Sequence, residues 1–201
     1  MYPPPHHQSR DIQKMISLIK EFPLGMLISV LDNNPVITHI PLIYNDQSGK
    51  LIAHIDKQNP QVESLKNGAE VTVVFRGPDT YISPSIYTTN QLPTWNYIMV
   101  HIKGTVTLIN DPDAAKDTMI DMTKFLEGKE QKYVLKKDND AMDRFVNYIQ
   151  AFEIDVTNWE GKFKLSQDKC KEDQMRAKDQ LVTKSGRSRE AFISEMYLGQ
   201  V

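Results

Sequence analysis

The stretch that most constrains this chain is Gln91–Ile109, QLPTWNYIMVHIKGTVTLI. From Trp95 onward, the alternate positions Asn96, Ile98, Val100, Ile102, Gly104, Val106 and Leu108 make the apolar face of a strand, because successive side chains leave a pleated backbone on opposite sides. The positions between them should be a plain solvent face. They read Trp95, Tyr97, Met99, His101, Lys103, Thr105 and Thr107. Two aromatics, a methionine and a histidine on an outer face are explained if a second subunit or a ligand lies against them.

The neighbouring sequence repeats the strand signal. Leu24–Leu31, Val36–Tyr44 and Lys50–Asp56 read as strands, separated by the turn Asp32–Pro35 and the loop Asn45–Gly49. A short helix from Asn59-Pro60 leads to a strand over Glu70–Arg76, and Gly77–Pro93, with its prolines, reads as irregular. Ala151–Thr157 and Lys162–Leu165 read as two further strands. Helices are expected from Ser9 as N-cap to Pro23, from the Asp111 cap with Pro112 to Leu126, and over Ala141–Ile149, with Glu127–Asp140 a polar loop. Short connections without a βαβ rhythm favour antiparallel pairing, and six or seven such strands suggest a small closed or split barrel with flanking helices. The domain expected is 1–167. Residues 168–201 read as a charged helical tail whose last helical piece is Arg189–Leu198.

A length of 201 residues suits such a domain with an appendage. The net charge of −2 gives no global field for nucleic acid or an anionic membrane, so any anion site must be local. A single cysteine, Cys170, rules out an internal disulfide and a cysteine zinc cage. No basic segment followed by an apolar run opens the chain, and apolar runs such as Met26–Val30 are far too short to span a bilayer. The reading is a soluble, cytoplasmic protein.

Three segments can carry chemistry. In His54-Ile-Asp-Lys-Gln-Asn-Pro-Gln61 a strand runs into the helix start at Asn59-Pro60, with Lys57 beside it, so N–H groups and a cation could meet a phosphate. The plainer reading is a capped surface helix with a solvated lysine. The segment Gly77–Tyr87 carries hydroxyls, among them those of Tyr81 and Ser83, that could hold a ligand or bond to the segment's own backbone. In Gly161–Gln167, Lys162 and Lys164 share one side, either as a solvated pair or as part of an anion pocket. His39, His54 and His101 lie on strands without metal-ligand spacing, and no P-loop, G-x-G-x-x-G or G-x-S-x-G element occurs.

Taken together, these pieces form an ordered series: Met1-Tyr2-x-Pro4, Thr38-His39-x-Pro41-Leu42, His54-x-x-Lys57-x-Asn59-Pro60-Gln61, Phe75-x-Gly77-Pro78-x-x-Tyr81-Ile82-Ser83-Pro84-Ser85-x-Tyr87, Pro93-Thr94-Trp95-Asn96-Tyr97-x-x-Val100-His101-x-x-Gly104 and Gly161–Gln167. The series resembles the PaiB-type family of FMN-binding negative transcriptional regulators. The resemblance covers Met1 to about Gln167. It departs from the family pattern at His6-His7, at Asp168, and after Cys170. It implies the split β-barrel fold of the pyridoxamine-phosphate-oxidase and flavin-reductase superfamily, a tight homodimer, and flavin in clefts between subunits. It also implies FMN contacts from His54, Lys57, Asn59, Tyr81, Ser83, Trp95, Asn96, Lys162 and Lys164, and a dimer interface including Trp95, Tyr97, Met99 and His101.

Three functions follow as expectations. The first is a dimeric FMN-binding regulator. It would act through a partner, since no helix-turn-helix or basic face is visible and KSGRSR at Lys184–Arg189 is a poor recognition element. The second is a small FMN-dependent oxidoreductase, in which the cofactor supplies the chemistry. The third is a binder of haem or another planar ligand, with His39, His54 or His101 as axial ligand. No metal site is expected.

Overall fold

A computed structural model describes residues 4–199, so the Met1-Tyr2 pair lies outside the described residues. The elements run β1 (Gln8–Ser9), α1 (Ile12–Glu21), β2 (Leu24–Leu31), β3 (Asn34–Pro41), β4 (Ile43–Tyr44), β5 (Leu51–Asp56), β6 (Glu70–Ile82) and β7 (Thr94–Ile109). They continue with α2 (Pro112–Glu127), α3 (Asp140–Phe145), β8 (Ile149–Lys164), α4 (Lys171–Ser185) and α5 (Glu190–Tyr197). The strand order is β3-β2-β6-β7-β8-β5-β4, with β1 on β8, and the paired registers are antiparallel. The chain divides into two compact units. One holds Met1–Glu21, Phe75–His101 and Glu160–Val201, the other Phe22–Val74 and Ile102–Trp159, and β6, β7 and β8 each run from one into the other.

In the second unit, β2 and β3 form a hairpin closed by Asp32 and Asn33 at φ 49° and 62°. Both φ values are positive, as a two-residue type I′ turn needs, and Asp and Asn tolerate that region better than other side chains. Pro35 therefore belongs to β3 and not to the turn. It stands on the outermost strand of the sheet, where a missing N–H breaks no ladder. The core here is Leu27, Leu51, Ala53, Val71, Val73, Phe152 and Ile154. Gly104 of β7 lets β8 approach closely, since a Cβ there would lie 2.5 Å from the Asp155 carbonyl oxygen. Helix α2 begins as expected, with the Asp111 carboxylate accepting from the Ala114 amide at 2.8 Å.

In the first unit, Asp11 and not Ser9 caps α1: its carboxylate accepts from the Lys14 amide, while Ser9 pairs with Gly161 in β1. Gly161 lies just before the second of the two expected strands, and a Cβ on it would sit 3.1 Å from the Ser9 Cβ. The glycine thus admits a neighbouring strand, and β8 is one strand where two were expected. Likewise β6 does not stop at Arg76. It passes through Gly77-Pro78, where the alternation of buried and exposed side chains slips by one, and ends at Ile82. The tail residues form α4 and α5, which bury Ala177, Leu181, Ile193 and Met196, and Ala177 packs with Ile82 and Tyr87.

Candidate functional site

Strand β7 carries the two faces expected of it. Asn96, Ile98, Val100, Ile102, Gly104 and Val106 are buried, whereas Tyr97, Met99 and His101 are half-covered and Trp95 is 50% exposed. The Trp95 indole N–H donates to Asp79 at 2.9 Å, Asp79 is clamped by Arg76 at 2.7 Å, and the Tyr81 ring lies tilted at 6.3 Å from Trp95. A tryptophan so fixed, with half its surface bare, presents a rigid aromatic plane. The Lys162 ammonium stands 5.7 Å from the centre of the Tyr97 ring. Burial, and then the Lys162 charge, lower the pKa of His101.

Asn96 is fully buried, and its amide donates to the Ser166 hydroxyl at 3.0 Å, which also meets the Tyr87 hydroxyl at 3.0 Å. Ser166 holds φ 62°, a conformation that costs a non-glycine residue about 1 kcal/mol and persists only where its surroundings fix it. Above this network a cavity of about 350 Å³ is walled by His7, Thr94, Asn96, Lys164, Ser166 and Lys169, among others. Lys164 donates to the Thr94 hydroxyl at 2.6 Å. Ser83 is occupied locally: its hydroxyl accepts from the Ser85 amide at 3.3 Å and caps the turn Pro84–Ile86.

In the other unit, β5 delivers Lys57 to a turn. Its amide donates to the Tyr148 carbonyl at 2.8 Å and its ammonium to the Asn147 carbonyl at 3.0 Å, beside a crevice of about 80 Å³ that Asn110 and Gln150 also line. No carboxylate lies within ion-pair distance of Lys57 among the described residues, so its charge is available. The helix start at Asn59-Pro60 is a five-residue 3₁₀ turn, Pro60–Ser64, and the Asn59 side chain already accepts from the Gln61 amide at 2.9 Å. The lysine is therefore the one strong anion donor here, not a helix terminus. Burial lowers the pKa of His54, and its Nδ1 has no partner.

The sequence reading did not nominate Gln61, His7, Ser166 or Asp173. Gln61 is fully buried, and its amide donates to the Ser29 hydroxyl at 2.8 Å and to the carbonyls of Leu27 and Val36 at 3.1 Å, which holds the Lys57–Asn59 turn against the hairpin. The outer face of β2 and β3 was also missed. Leu24, Val30 and Ile37 are 62%, 65% and 52% exposed, with Met26 and Ile28 between them. The signal was present: LGMLISVL is apolar at nearly every position and not at alternate ones, the mark of a strand covered on both sides.

A family model described as "Putative FMN-binding domain" matches residues 1–158. The "Protease synthase and sporulation protein PAI 2" of Bacillus subtilis is 27% identical over 184 residues, which is 90% of this chain and 89% of that protein. An uncharacterized protein of Saccharomyces cerevisiae is 31% identical over 158 residues, 66% of this chain and 91% of its own length. Among solved structures, the FAD and heme binding protein from Mycobacterium smegmatis superposes with a TM-score of 0.63 at 19% identity, covering 79% of this chain and 73% of that one. That likeness shows the fold, a split β-barrel.

Proposed function

The chain belongs to the FMN-binding-domain family whose model spans most of it, and on that premise we propose that it is a homodimeric FMN-binding protein with a regulatory role, acting on gene expression through a partner and not through a DNA-reading element of its own. The observation that carries the flavin reading is Lys57: a fixed ammonium at the end of a core strand, bonded to a main-chain carbonyl and to no acid. A flavin phosphate needs such a donor when it leaves water. His54 and Asn59 flank it in sequence, and Gln61 fixes the turn. Tyr81 and Trp95 present an aromatic surface suited to a planar ring, while Ser83, Asn96, Lys162 and Lys164 complete the set that the family resemblance implies. When bound, flavin supplies hydride or electron transfer, and the protein's own groups position it and tune its surroundings.

Dimerism is supported by the uncovered apolar faces of β7 and of the β2–β3 hairpin. A regulatory role is supported by the resemblance of the sequence motifs to the PaiB-type regulator family, and the similarity to the "Protease synthase and sporulation protein PAI 2" of Bacillus subtilis is in keeping with it. A second reading, a planar haem-type ligand in the same fold, draws on the M. smegmatis neighbour and on the unpartnered Nδ1 of half-buried His54. An absorption spectrum separates flavin from haem. A titration of FMN by fluorescence quenching then tests the site: Lys57→Ala should weaken binding about thirtyfold, roughly 2 kcal/mol, and leave the apo protein's Tm nearly unchanged. Equal affinities, or no binding to wild type, would reject Lys57 as the phosphate partner. Rapid steady-state NAD(P)H oxidation by the flavin-loaded protein would replace the regulatory reading with the oxidoreductase one.

A further inference from the structure

The cavity of about 350 Å³ above Asn96 and Ser166 lies wholly within one compact unit, and its charges do not balance. It is lined by two lysines and one carboxylate. Lys169 pairs with Asp168 at 2.7 Å, so that pair is neutral. Lys164 remains. It is half-buried, its ammonium donates to the neutral Thr94 hydroxyl, and no acid stands within ion-pair distance of it among the described residues. An ammonium that has lost part of its hydration is poorly compensated by a hydroxyl and well compensated by an anion.

His7 adds a second unused polar group. It lines the same cavity, is 8% exposed, and has no hydrogen-bond partner at Nε2. Burial first, with the neighbouring His6 and Lys164 charges after it, brings its pKa down to about 4, so at neutral pH the ring adds hydrogen-bonding capacity without charge. The floor is fixed, because Asn96 and Tyr87 both bond to Ser166. A pre-formed floor lowers the entropy lost on binding, and the volume falls within the roughly 300–1,000 Å³ of small-molecule sites. We propose that this cavity binds a small ligand through an anionic group, phosphate or carboxylate, with the Lys164 ammonium as charge partner and the Thr94 hydroxyl beside it. None of the residues of the Lys57 turn lines it, and two of its own residues, Asn96 and Lys164, belong to the set that the family resemblance gives to the flavin.

The test uses the full chain labelled with ¹⁵N-histidine, with the His7 signals identified by their loss in His7→Gln. Inorganic phosphate, and separately acetate, are titrated at constant ionic strength. At least one should shift the His7 resonances saturably, and Lys164→Gln should weaken that response by about tenfold or more. If Lys164→Gln lacks the near-UV circular dichroism of the wild type, the isosteric Thr94→Val carries the test, with an expected loss of about threefold. A response that persists at saturating FMN assigns the site to a separate ligand, and one that FMN abolishes assigns it to the flavin's own phosphate. No saturable response in wild type, or one undiminished in the variants, overturns the site. FMN quenching in the same samples is read independently, so the flavin reading can stand while this one falls.

Discussion

Asp173 shows how much a single residue contributes without announcing itself in the sequence. It is fully buried in the first turn of α4, and accepts from the Thr88 amide at 2.7 Å and from the Thr88 and Thr89 hydroxyls at 2.9 Å each. Burial alone would raise its pKa, but these donors outweigh it and hold the carboxylate below its usual range. A depressed folded-state pKa means that the unfolded chain binds the proton first. The stabilisation is therefore complete above the unfolded value near 4 and is lost as pH falls through the lower folded one. Asp173→Asn should lower the Tm at neutral pH, and thermal melts should show the gap to wild type narrowing as pH drops below about 4. A gap independent of pH would mean that packing, not charge, is what Asp173 contributes. No sequence pattern marks this residue, because its partners lie about 85 positions away. Ser166 is alike, its partners Tyr87 and Asn96 lying 79 and 70 positions away, whereas Lys57 was legible as a cation at a strand end. At Asn59-Pro60 the Gln61 amide is bonded to the Asn59 side chain, and in sequence a capped N-terminus looks the same whether its N–H is free or already used.

Strands β2 and β7 were legible although each holds a glycine, whereas β6 and β8 were cut short near theirs. Leu24–Leu31 and the β7 face came through directly. The expected strands stopped at Arg76 and Thr157, short of Gly77-Pro78 and Gly161, residue types that more often end strands than let another chain pass close by. The two faces of β7 give an element-scale prediction at adjacent residues. Ile98 is fully buried and Met99 faces outward, half-covered. Ile98→Asp buries an unpaired carboxylate, which should cost about 4 kcal/mol or more and prevent folding. Met99→Asp should leave a folded protein, with a loss of roughly 1 kcal/mol or less in the isolated chain. Circular dichroism and expression of both variants check the pair, and a folded Ile98→Asp protein would contradict the assigned face.

At the scale of the whole molecule, the outstanding fact is apolar sheet surface that the described residues leave uncovered. On the β2–β3 hairpin, Leu24, Met26, Ile28 and Val30 stand on one face, with Ile28 opposite Ile37 and Met26 opposite His39. No charged side chain other than a histidine interrupts it. An ordinary monomer rarely leaves such a patch bare. A polar partner would not compensate it, whereas a second copy brings an identical apolar face and a two-fold axis pairs like with like. The strand edge is an unsuitable docking point, since Pro35 and Pro41 remove donors from β3, so the face itself is where a second copy would sit. Light scattering at micromolar concentration should therefore give about twice the chain mass of 23.1 kDa. Val30→Glu combined with Ile37→Lys places opposite charges at diagonal positions of one hairpin, which preserves the hairpin's own pairing while putting charge into the interface. That double variant should be folded and monomeric, with a Tm independent of protein concentration, whereas the wild type's Tm should rise with concentration, because mass action stabilises the dimer alone. A wild-type monomer would sink the two-subunit reading, and a double variant that remains dimeric would move the interface off this face and back to the Trp95–His101 side of β7.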